Sequence, residues 1–242
     1  MMSDQGLPYK RILLKISGEV LRGGQSHGYD SKILGDLANT IKKVKQTGIE
    51  LCLVVGGGNF FRGAEHCAEL ITRVGADNIG MMATVMNGVA LQDALKTVDV
   101  ASTLVSNQPY AGLTEVFNAS KHQADIAAGK VIIFVGGLSM PYLTTDTCGV
   151  VRALEMNCDC MFKATKFPGV YDVNPAQNAG AKHYANLSYS DVDVTKLGAM
   201  DQAAYVLAKE NNLELIVYSL LPVENILKII QNDPTVLYTR MK

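Results

Sequence analysis

Three glycine-rich loops follow three apolar segments of the chain, and loops of this kind can surround a phosphate group. They are Ser17-Gly18, Gly56-Gly57-Gly58-Asn59 and Gly136-Gly137. Glycine lets the backbone approach an anion closely, and N–H groups at strand-to-helix turns attract negative charge. A triple glycine also serves simply to make a tight turn, so the loops alone do not distinguish phosphate binding from packing.

Two cations beside these loops favour phosphate binding. Lys15 interrupts an apolar segment just before Ser17, and Arg62 follows the triple glycine by about one helical turn. The alternative interpretation is that Lys15 lies at a strand end and reaches solvent. Transfer of a phosphoryl group requires mainly positioning and neutralisation of charge, which cations and backbone N–H groups supply. We therefore expect a phosphoryl-transfer site at these loops.

Three aspartates near the starts of predicted helices, Asp77, Asp146 and Asp201, could orient a lysine or Mg²⁺. Helix capping explains such aspartates equally well. No Ser/His/Asp or Cys/His arrangement is recognisable, but an acceptor that is already a phosphate dianion needs no general base. The chain lacks GxxxxGK[ST], and Phe61 occupies the last glycine position of GxGxxG. Walker-type kinases and Rossmann dehydrogenases are therefore not expected.

The composition is that of an ordinary globular protein and argues against several classes of function. Of 242 residues, 48% are hydrophobic and 19% charged, and the net charge of -1 predicts no nucleic-acid partner. The polar N-terminus and the lack of an apolar run of ~20 residues predict no signal peptide and no membrane partner. An odd number of cysteines without CxxC spacing, and scattered histidines, predict a reducing cytoplasm and no protein-bound metal.

Apolar strands alternate with helical patterns along the whole chain. Arg11 to Ile16 and Leu51 to Val55 are predicted strands, and the helix between them starts after Asp30 and stops at Gly48. Further helices are predicted at Met81 to Val98, Glu115 to Ala127, Asp146 to Met156, Met200 to Ala208 and Val223 to Gln231, with strands at Ala101 to Val105, Val131 to Val135, Cys160 to Ala164, Leu215 to Tyr218 and Val236 to Thr239. The pattern predicts a three-layer α/β/α sandwich with a mainly parallel sheet, whose ligands bind beyond the carboxyl ends of the strands.

From about Tyr9 to the C-terminus, the chain resembles the bacterial uridylate kinases of the amino acid kinase superfamily. The similar segments are Lys15 to Glu19, Gly56 to Asn59 with Arg62-Gly63, Gly80 to Gly88, Thr144 to Asp146, and Lys163 to Lys166 with Gly169 to Tyr171. The lysine, triple-glycine and late-aspartate pattern is shared by the superfamily, whereas Ala83 to Gly88 and Lys163 to Lys166 resemble uridylate kinases specifically. The resemblance implies one amino acid kinase domain over residues 1–242, with an acceptor-binding N-terminal lobe and an ATP-binding C-terminal lobe sharing one sheet.

The resemblance also implies transfer of the ATP γ-phosphoryl group to UMP and assigns roles to residues. The implied catalytic residues are Lys15, Arg62, Asp146 and Asp201, with Asp146 orienting Lys15. Implied UMP contacts are Gly57, Asp77, Pro141, Thr144 and Thr145, with Asp77 on the ribose hydroxyls. Implied ATP contacts are Lys15, Ser17, Gly18, Gly58, Arg62, Thr165, Tyr171 and Asn174. Mg²⁺ bound with ATP, the effectors GTP and UTP, and a homohexamer are further expectations from the family.

The chain departs from the family in two places. Gly137 to Pro141 reads Gly-Leu-Ser-Met-Pro where these enzymes usually have Gly-Thr-Gly-Asn-Pro, so Leu138 and Met140 are expected to pack instead of contacting UMP. On the ATP side, Asn174 replaces a usual aspartate and Phe167-Pro168 replaces Val-Asp.

Two other functions stay open. A superfamily kinase acting on an amino-acid carboxylate is disfavoured because Asp77 would repel that substrate in a shielded pocket. A non-catalytic nucleotide-binding sensor is disfavoured because mere binding has no use for Lys15, Arg62, Asp146 and Asp201 together.

Overall fold

The computed structural model describes residues 8–61, 71–190 and 200–242, and a nine-stranded sheet forms its centre. The strands are β1 (Arg11–Ile16), β2 (Glu50–Val55), β3 (Ser102–Ser106), β4 (Glu115–Val116), β5 (Val131–Phe134), β6 (Cys160–Thr165), β7 (Val170–Tyr171), β8 (His183–Tyr184), β9 (Asn186–Leu187), β10 (Glu214–Ser219) and β11 (Tyr238–Met241). The sheet order is β4-β3-β5-β2-β1-β6-β10-β11-β9, and β7 pairs with β8 in a separate two-stranded sheet. Within the large sheet, neighbours run parallel except β10 and β11.

Helices cover both faces of the sheet. They are α1 (Gly18–Leu21), α2 (Ser31–Gln46), α3 (Arg73–Thr97), α4 (Ala119–Ala127), α5 (Thr145–Glu155), α6 (Gln202–Glu210) and α7 (Asn225–Ile230). One apolar core contains buried residues of α2, α3 and α7, and the other contains buried residues of α4, α5 and α6. Successive residues of a strand point to opposite faces of the sheet and so belong to different cores. In β1, Ile12 belongs to the first core and Leu13 to the second. The predicted three-layer α/β/α sandwich is confirmed.

The first strand-helix-strand unit agrees closely with its prediction. The Asp30 side chain accepts hydrogen bonds from the backbone N–H groups of Lys32 and Ile33, at 2.9 and 3.1 Å, and so caps α2. Gly48 follows the helix with a φ of 88°, a left-handed conformation that glycine adopts without steric cost. The parallel pairing of β1 with β2 then returns the chain to the same end of the sheet.

Two predicted helices start in the wrong place. Helix α3 begins at Arg73 and not at Met81, because the Thr72 hydroxyl caps it by accepting from Gly75 N at 3.1 Å. The glycines in this first part of α3 lower its helix propensity and weaken the helical pattern in the sequence. Helix α4 begins at Ala119 and not at Glu115, since Asn118 is its N-cap and Glu115–Val116 pair with β3.

Smaller corrections concern the end of the chain. Met200 precedes α6, which starts after the capping residue Asp201. The last strand is Tyr238–Met241 and not Val236 to Thr239, because Asp233 accepts from Thr235 N and holds the preceding residues in a turn. Strands β7, β8 and β9 were not predicted, since two residues carry no periodicity. In the described part of the chain, every helix is too short or too polar to cross a bilayer.

Candidate active site

The first two glycine loops lie against each other where the neighbouring strands β1 and β2 end. Gly56 N donates to Ile16 O at 2.9 Å. A Cβ added to Gly18 would lie 2.5 Å from Gly56 O and 2.8 Å from Gly58 N, so a side chain is excluded there. Both loops therefore present backbone at one place, which is the arrangement that phosphate binding requires.

A buried cluster of two lysines and one aspartate lies at the same end of the sheet. Lys15 of β1 and Lys163 of β6 are register partners, with exposed fractions of 8% and 6%. Lys15 Nζ lies 3.0 Å from Asp146 Oδ1, and Lys163 Nζ donates to Asp146 Oδ2. Asp146 belongs to the first turn of α5, so the positive end of a helix dipole also favours its charged form.

The charges of this cluster shift the pKa values of its members. Burial raises the pKa of the Asp146 carboxyl, but the two lysines outweigh that effect and hold the pKa below its usual value. Burial and the nearby charge of Lys15 lower the pKa of Lys163 to about 8, although Asp146 opposes the shift. Two lysines against one carboxylate leave a surplus of positive charge while both are protonated. An incoming polyphosphate can neutralise that surplus.

Asp201 is an N-cap whose side chain also ties α6 to the start of α5. It caps α6 by accepting from Ala204 N at 2.9 Å. Its carboxylate also accepts from the hydroxyls of Thr144 and Thr147, the latter at 2.9 and 3.0 Å. Thr144 in turn caps α5, accepting from Asp146 N at 3.0 Å. Asp201 therefore fixes the helix end that carries Asp146.

A pocket beside the glycine loops contains Asp77. The lining residues are Gly57, Phe61, Ala76, Asp77, Gly80, Met81, Thr84, Gly137, Leu143, Thr144 and Thr145. Asp77 Oδ2 accepts from Arg73 Nε and from Tyr142 N, each at 2.8 Å. Of the predicted UMP contacts, four line this pocket, and Pro141 lies in the adjoining loop outside the lining set.

The loop from Gly136 to Leu143 closes one side of this pocket. Gly136, Gly137, Ser139 and Tyr142 all have positive φ values, of 72°, 55°, 58° and 73°. Leu138 packs against one apolar core, as expected, whereas Met140 is 58% exposed, so its expected packing is wrong. Gly136 N donates to Thr84 Oγ1 at 2.7 Å, which fixes the start of the loop to α3.

The predicted ATP contacts fall into two groups. Ser17, Gly18 and Gly58 lie at the glycine loops beside Lys15. Thr165 ends β6, and its hydroxyl accepts from Phe167 N at 3.1 Å. Tyr171 and Asn174 belong to the β7–β8 hairpin region, where the Tyr171 ring contacts His183 and Asn174 Oδ1 accepts from Ala176 N. Arg62 lies outside the described residues.

The prediction from the sequence missed one charged group of this site. Lys163 was noted only within a segment that resembles the uridylate kinases, although a lysine in an apolar strand is the same signal that pointed to Lys15. The structure brings both to one carboxylate. Thr147, which binds Asp201, gave no signal in the sequence.

The described carboxylates of this site, Asp146 and Asp201, are already engaged by other groups of the protein. Asp146 faces two lysines, and both oxygens of Asp201 accept hydrogen bonds. Elsewhere in the described ranges, Glu115, His122 and Asp125 cluster, but Lys121 and Lys130 already pair with the carboxylates.

Comparisons with known proteins place the chain in a family. Residues 10–219 match the model of the amino acid kinase family. The uridylate kinase of Rickettsia typhi is 40% identical over 233 residues, which cover 96% of each chain. That of Rickettsia bellii is 39% identical over 227 residues, which cover 94% of this chain and 95% of the relative.

Solved structures agree with this placement. The UMP kinase of Bacillus anthracis matches with a TM-score of 0.91 and 34% identity, covering 97% of this chain and 96% of that one. The UMP kinase of Ureaplasma parvum matches with a TM-score of 0.90 and 32% identity, covering 96% and 98%. The chain therefore belongs to the amino acid kinase family and, within it, to the uridylate kinases.

Proposed function

We propose that this protein transfers the γ-phosphoryl group of ATP to UMP, giving UDP and ADP. The observation that carries the proposal is the Lys15–Asp146–Lys163 cluster beside the glycine loops. Asp146 directly follows Thr144 and Thr145, which line the pocket that contains Asp77. A charge-neutralising centre and a pocket with a ribose-binding carboxylate thus adjoin each other. The relatives named as uridylate and UMP kinases support the same acceptor.

The two nucleotides occupy opposite sides of β1 in this proposal. The pocket is lined by residues that follow β2 and β5, which lie on one side of β1 in the sheet order. UMP binds there, with Asp77 on the ribose and Gly57, Thr144 and Thr145 near the phosphate. ATP binds on the other side, over the carboxyl ends of β6 and β10, where Thr165 lies. This division corresponds to an acceptor lobe and an ATP lobe that share one sheet.

In the chemical step, an oxygen of the UMP phosphate attacks the γ-phosphorus of ATP. The new P–O bond forms as the bond from that phosphorus to the bridging oxygen of ADP breaks. Lys15 and Lys163 neutralise charge on the transferred group, and Asp146 holds both ammonium groups in place. The N–H groups of Gly18 and Gly58 act on the same charge. No proton has to be removed from the acceptor, since a phosphate dianion is already a nucleophile.

Other parts of the proposal come from the family resemblance. Mg²⁺ bound with ATP adds further neutralisation of phosphate charge. Arg62 contacts the transferred phosphate, and Tyr171 and Asn174 contact ATP once the β7–β8 region meets the nucleotide. A cytoplasmic location agrees with the free thiols of Cys52, Cys148, Cys158 and Cys160. We further propose that the protein assembles as a homohexamer and that GTP and UTP regulate its activity.

The test is nucleotide formation by the purified protein with Mg-ATP and one acceptor at a time. UMP, CMP, AMP, aspartate and acetylglutamate are compared, and UMP-selective production of UDP is expected. Lys15→Ala should lower turnover at least ~100-fold, because charge stabilisation is a large catalytic term. Lys43→Ala, an exposed lysine of α2, is the matched control. Binding of ATP without turnover of any acceptor would favour a nucleotide sensor, and turnover of an amino acid would replace UMP as substrate.

A further inference from the structure

Asn59 and Asn87 form a buried pair of amides next to the glycine loops. Asn59 follows the triple glycine and is 2% exposed, and Asn87 lies within α3 and is 0% exposed. Asn87 Nδ2 donates to Asn59 Oδ1 at 2.7 Å, and Asn59 Nδ2 donates to Asn87 Oδ1 at 2.9 Å. A Cβ on Gly18 would lie 2.6 Å from Asn59 Oδ1. The pair therefore touches both loops that present backbone to phosphate.

Each amide also donates to a backbone carbonyl. Asn87 Nδ2 donates to Gly56 O, and Asn59 Nδ2 donates to Gly28 O at 3.0 Å. A carbonyl oxygen can only accept, so these two bonds determine which end of each side chain is nitrogen. Both N–H bonds of each amide are used. Loss of either side chain would leave buried partners unpaired, which is costly.

The bond from Asn87 to Gly56 O determines the direction of the next N–H group. The C=O of Gly56 and the N–H of Gly57 belong to one trans peptide and point in opposite directions. Because Asn87 holds this carbonyl towards α3, the N–H of Gly57 points away from Asn87. Gly57 lines the pocket that also contains Asp77. A phosphate in that pocket can therefore approach the Gly57 backbone.

We infer that Asn87 is a positioning residue of the phosphoryl-transfer reaction, which acts through the Gly56–Gly57 peptide. It orients the Gly57 N–H towards the phosphate of UMP, at the point where that phosphate meets the γ-phosphate of ATP. This inference rests on the proposed function. Asn59 bonds to Gly28 and to Asn87, and so supports the pair without holding that peptide. Asn87 shares helix α3 with Asp77, so one rigid element sets both the ribose contact and the phosphate contact.

The experiment compares Asn87→Ala with Asn59→Ala. Both remove one buried amide of the same pair, so both should lower the melting temperature by similar amounts. Asn87→Ala should lower kcat at least tenfold more than Asn59→Ala, with a smaller change in the KM for ATP, since removal of one N–H donor to developing charge commonly costs ~100-fold or more. Equal kcat values for the two variants would overturn the inference.

A second measurement does not depend on whether Asn87→Ala folds. In the ¹⁵N-labelled wild-type protein, the Gly57 amide resonance should shift on addition of UMP, and in Asn59→Ala it should shift likewise. An unshifted Gly57 resonance in a wild-type protein that phosphorylates UMP would overturn the inference even if Asn87→Ala does not fold. A wild-type protein without UMP turnover would instead contradict the proposed function, so the two failures are distinguishable.

Discussion

Lys15 and Lys163 are register partners on the adjacent parallel strands β1 and β6, and both ammonium groups meet the carboxylate of Asp146. Two like charges on neighbouring strands repel, and a buried lysine loses hydration. The single aspartate at the start of α5 offsets only part of this cost. The cluster therefore favours the binding of additional negative charge.

Lys163 should be as important to turnover as Lys15. Lys163→Met keeps the length and apolar stem of the side chain but removes its charge, so kcat should fall ~100-fold or more with the fold intact. Steady-state kinetics and a thermal melt measure the two effects. Lys130→Met, at a half-exposed lysine paired with Asp125, is the control. Turnover near that of the wild type would show that Lys163 does not contribute to neutralising the transferred group.

Activity should fall at alkaline pH because Lys163 loses its proton. Its pKa of about 8 in the folded protein predicts that kcat/KM for ATP decreases as pH rises through about 8. Lys163→Arg keeps its charge at all these pH values and should lack this alkaline loss, even if its activity is lower. A wild-type profile that stays flat to pH 10 would contradict a depressed pKa in the free enzyme.

The same pKa makes a prediction for stability. Between pH ~8 and the unfolded lysine pKa of ~10.4, the unfolded chain binds more protons than the folded chain. Lys163 should therefore make the unfolding free energy rise with pH across that range. Urea unfolding at several pH values would measure this slope, and Lys163→Met should reduce it. An unchanged slope in the variant would place the titration on another group.

Asp77→Asn should weaken the use of UMP more than the binding of ATP. Asp77 lines the pocket, and an asparagine can still accept from Tyr142 N, so the loop contact survives while the charge is lost. We expect the KM for UMP to rise about tenfold, the loss of one charged hydrogen bond. Asp93→Asn, at an exposed aspartate of the same helix, is the control. Weakened ATP binding alone would move the acceptor site elsewhere.

Asp201→Ala should lower both stability and turnover. The variant loses the cap of α6 and the bonds to Thr144 and Thr147, which should cost about 2 kcal/mol of unfolding free energy. Because α5 carries Asp146, kcat should fall about tenfold as well. Asn118→Ala removes the cap of α4, away from the cluster, and should cost about 1 kcal/mol without lowering kcat. Equal kcat values in the two variants would limit Asp201 to a capping role.

The alternation of strands and helices was predictable because both periodicities are strong in this chain. Asp30 and Gly48 delimit α2 through local chemistry that a sequence shows directly. The start of α3 was not predictable in this way, since Gly75 and Gly80 weaken the helical pattern and the Thr72 cap compensates for them.

The candidate site was predictable only in part. Lys15 is conspicuous as a charge in an apolar strand, and the aspartates are conspicuous near helix starts. The pairing of these residues was not predictable, because Asp146 meets Lys15 and Lys163 only after β1 and β6 have aligned in register and α5 has packed against them. The pocket likewise needs α3 to meet the loop after β5, as the bond from Tyr142 N to Asp77 shows.

The central position of β1 has a consequence for how the protein loses activity. With four strands on each side of it, β1 is far from the edges where sheets fray. Its amide protons should exchange with deuterium only through global unfolding, whereas those of the short β4 and β9 should exchange through local opening. Lys15 would then remain in register through every partial opening of the sheet, and catalysis and fold should be lost in one step.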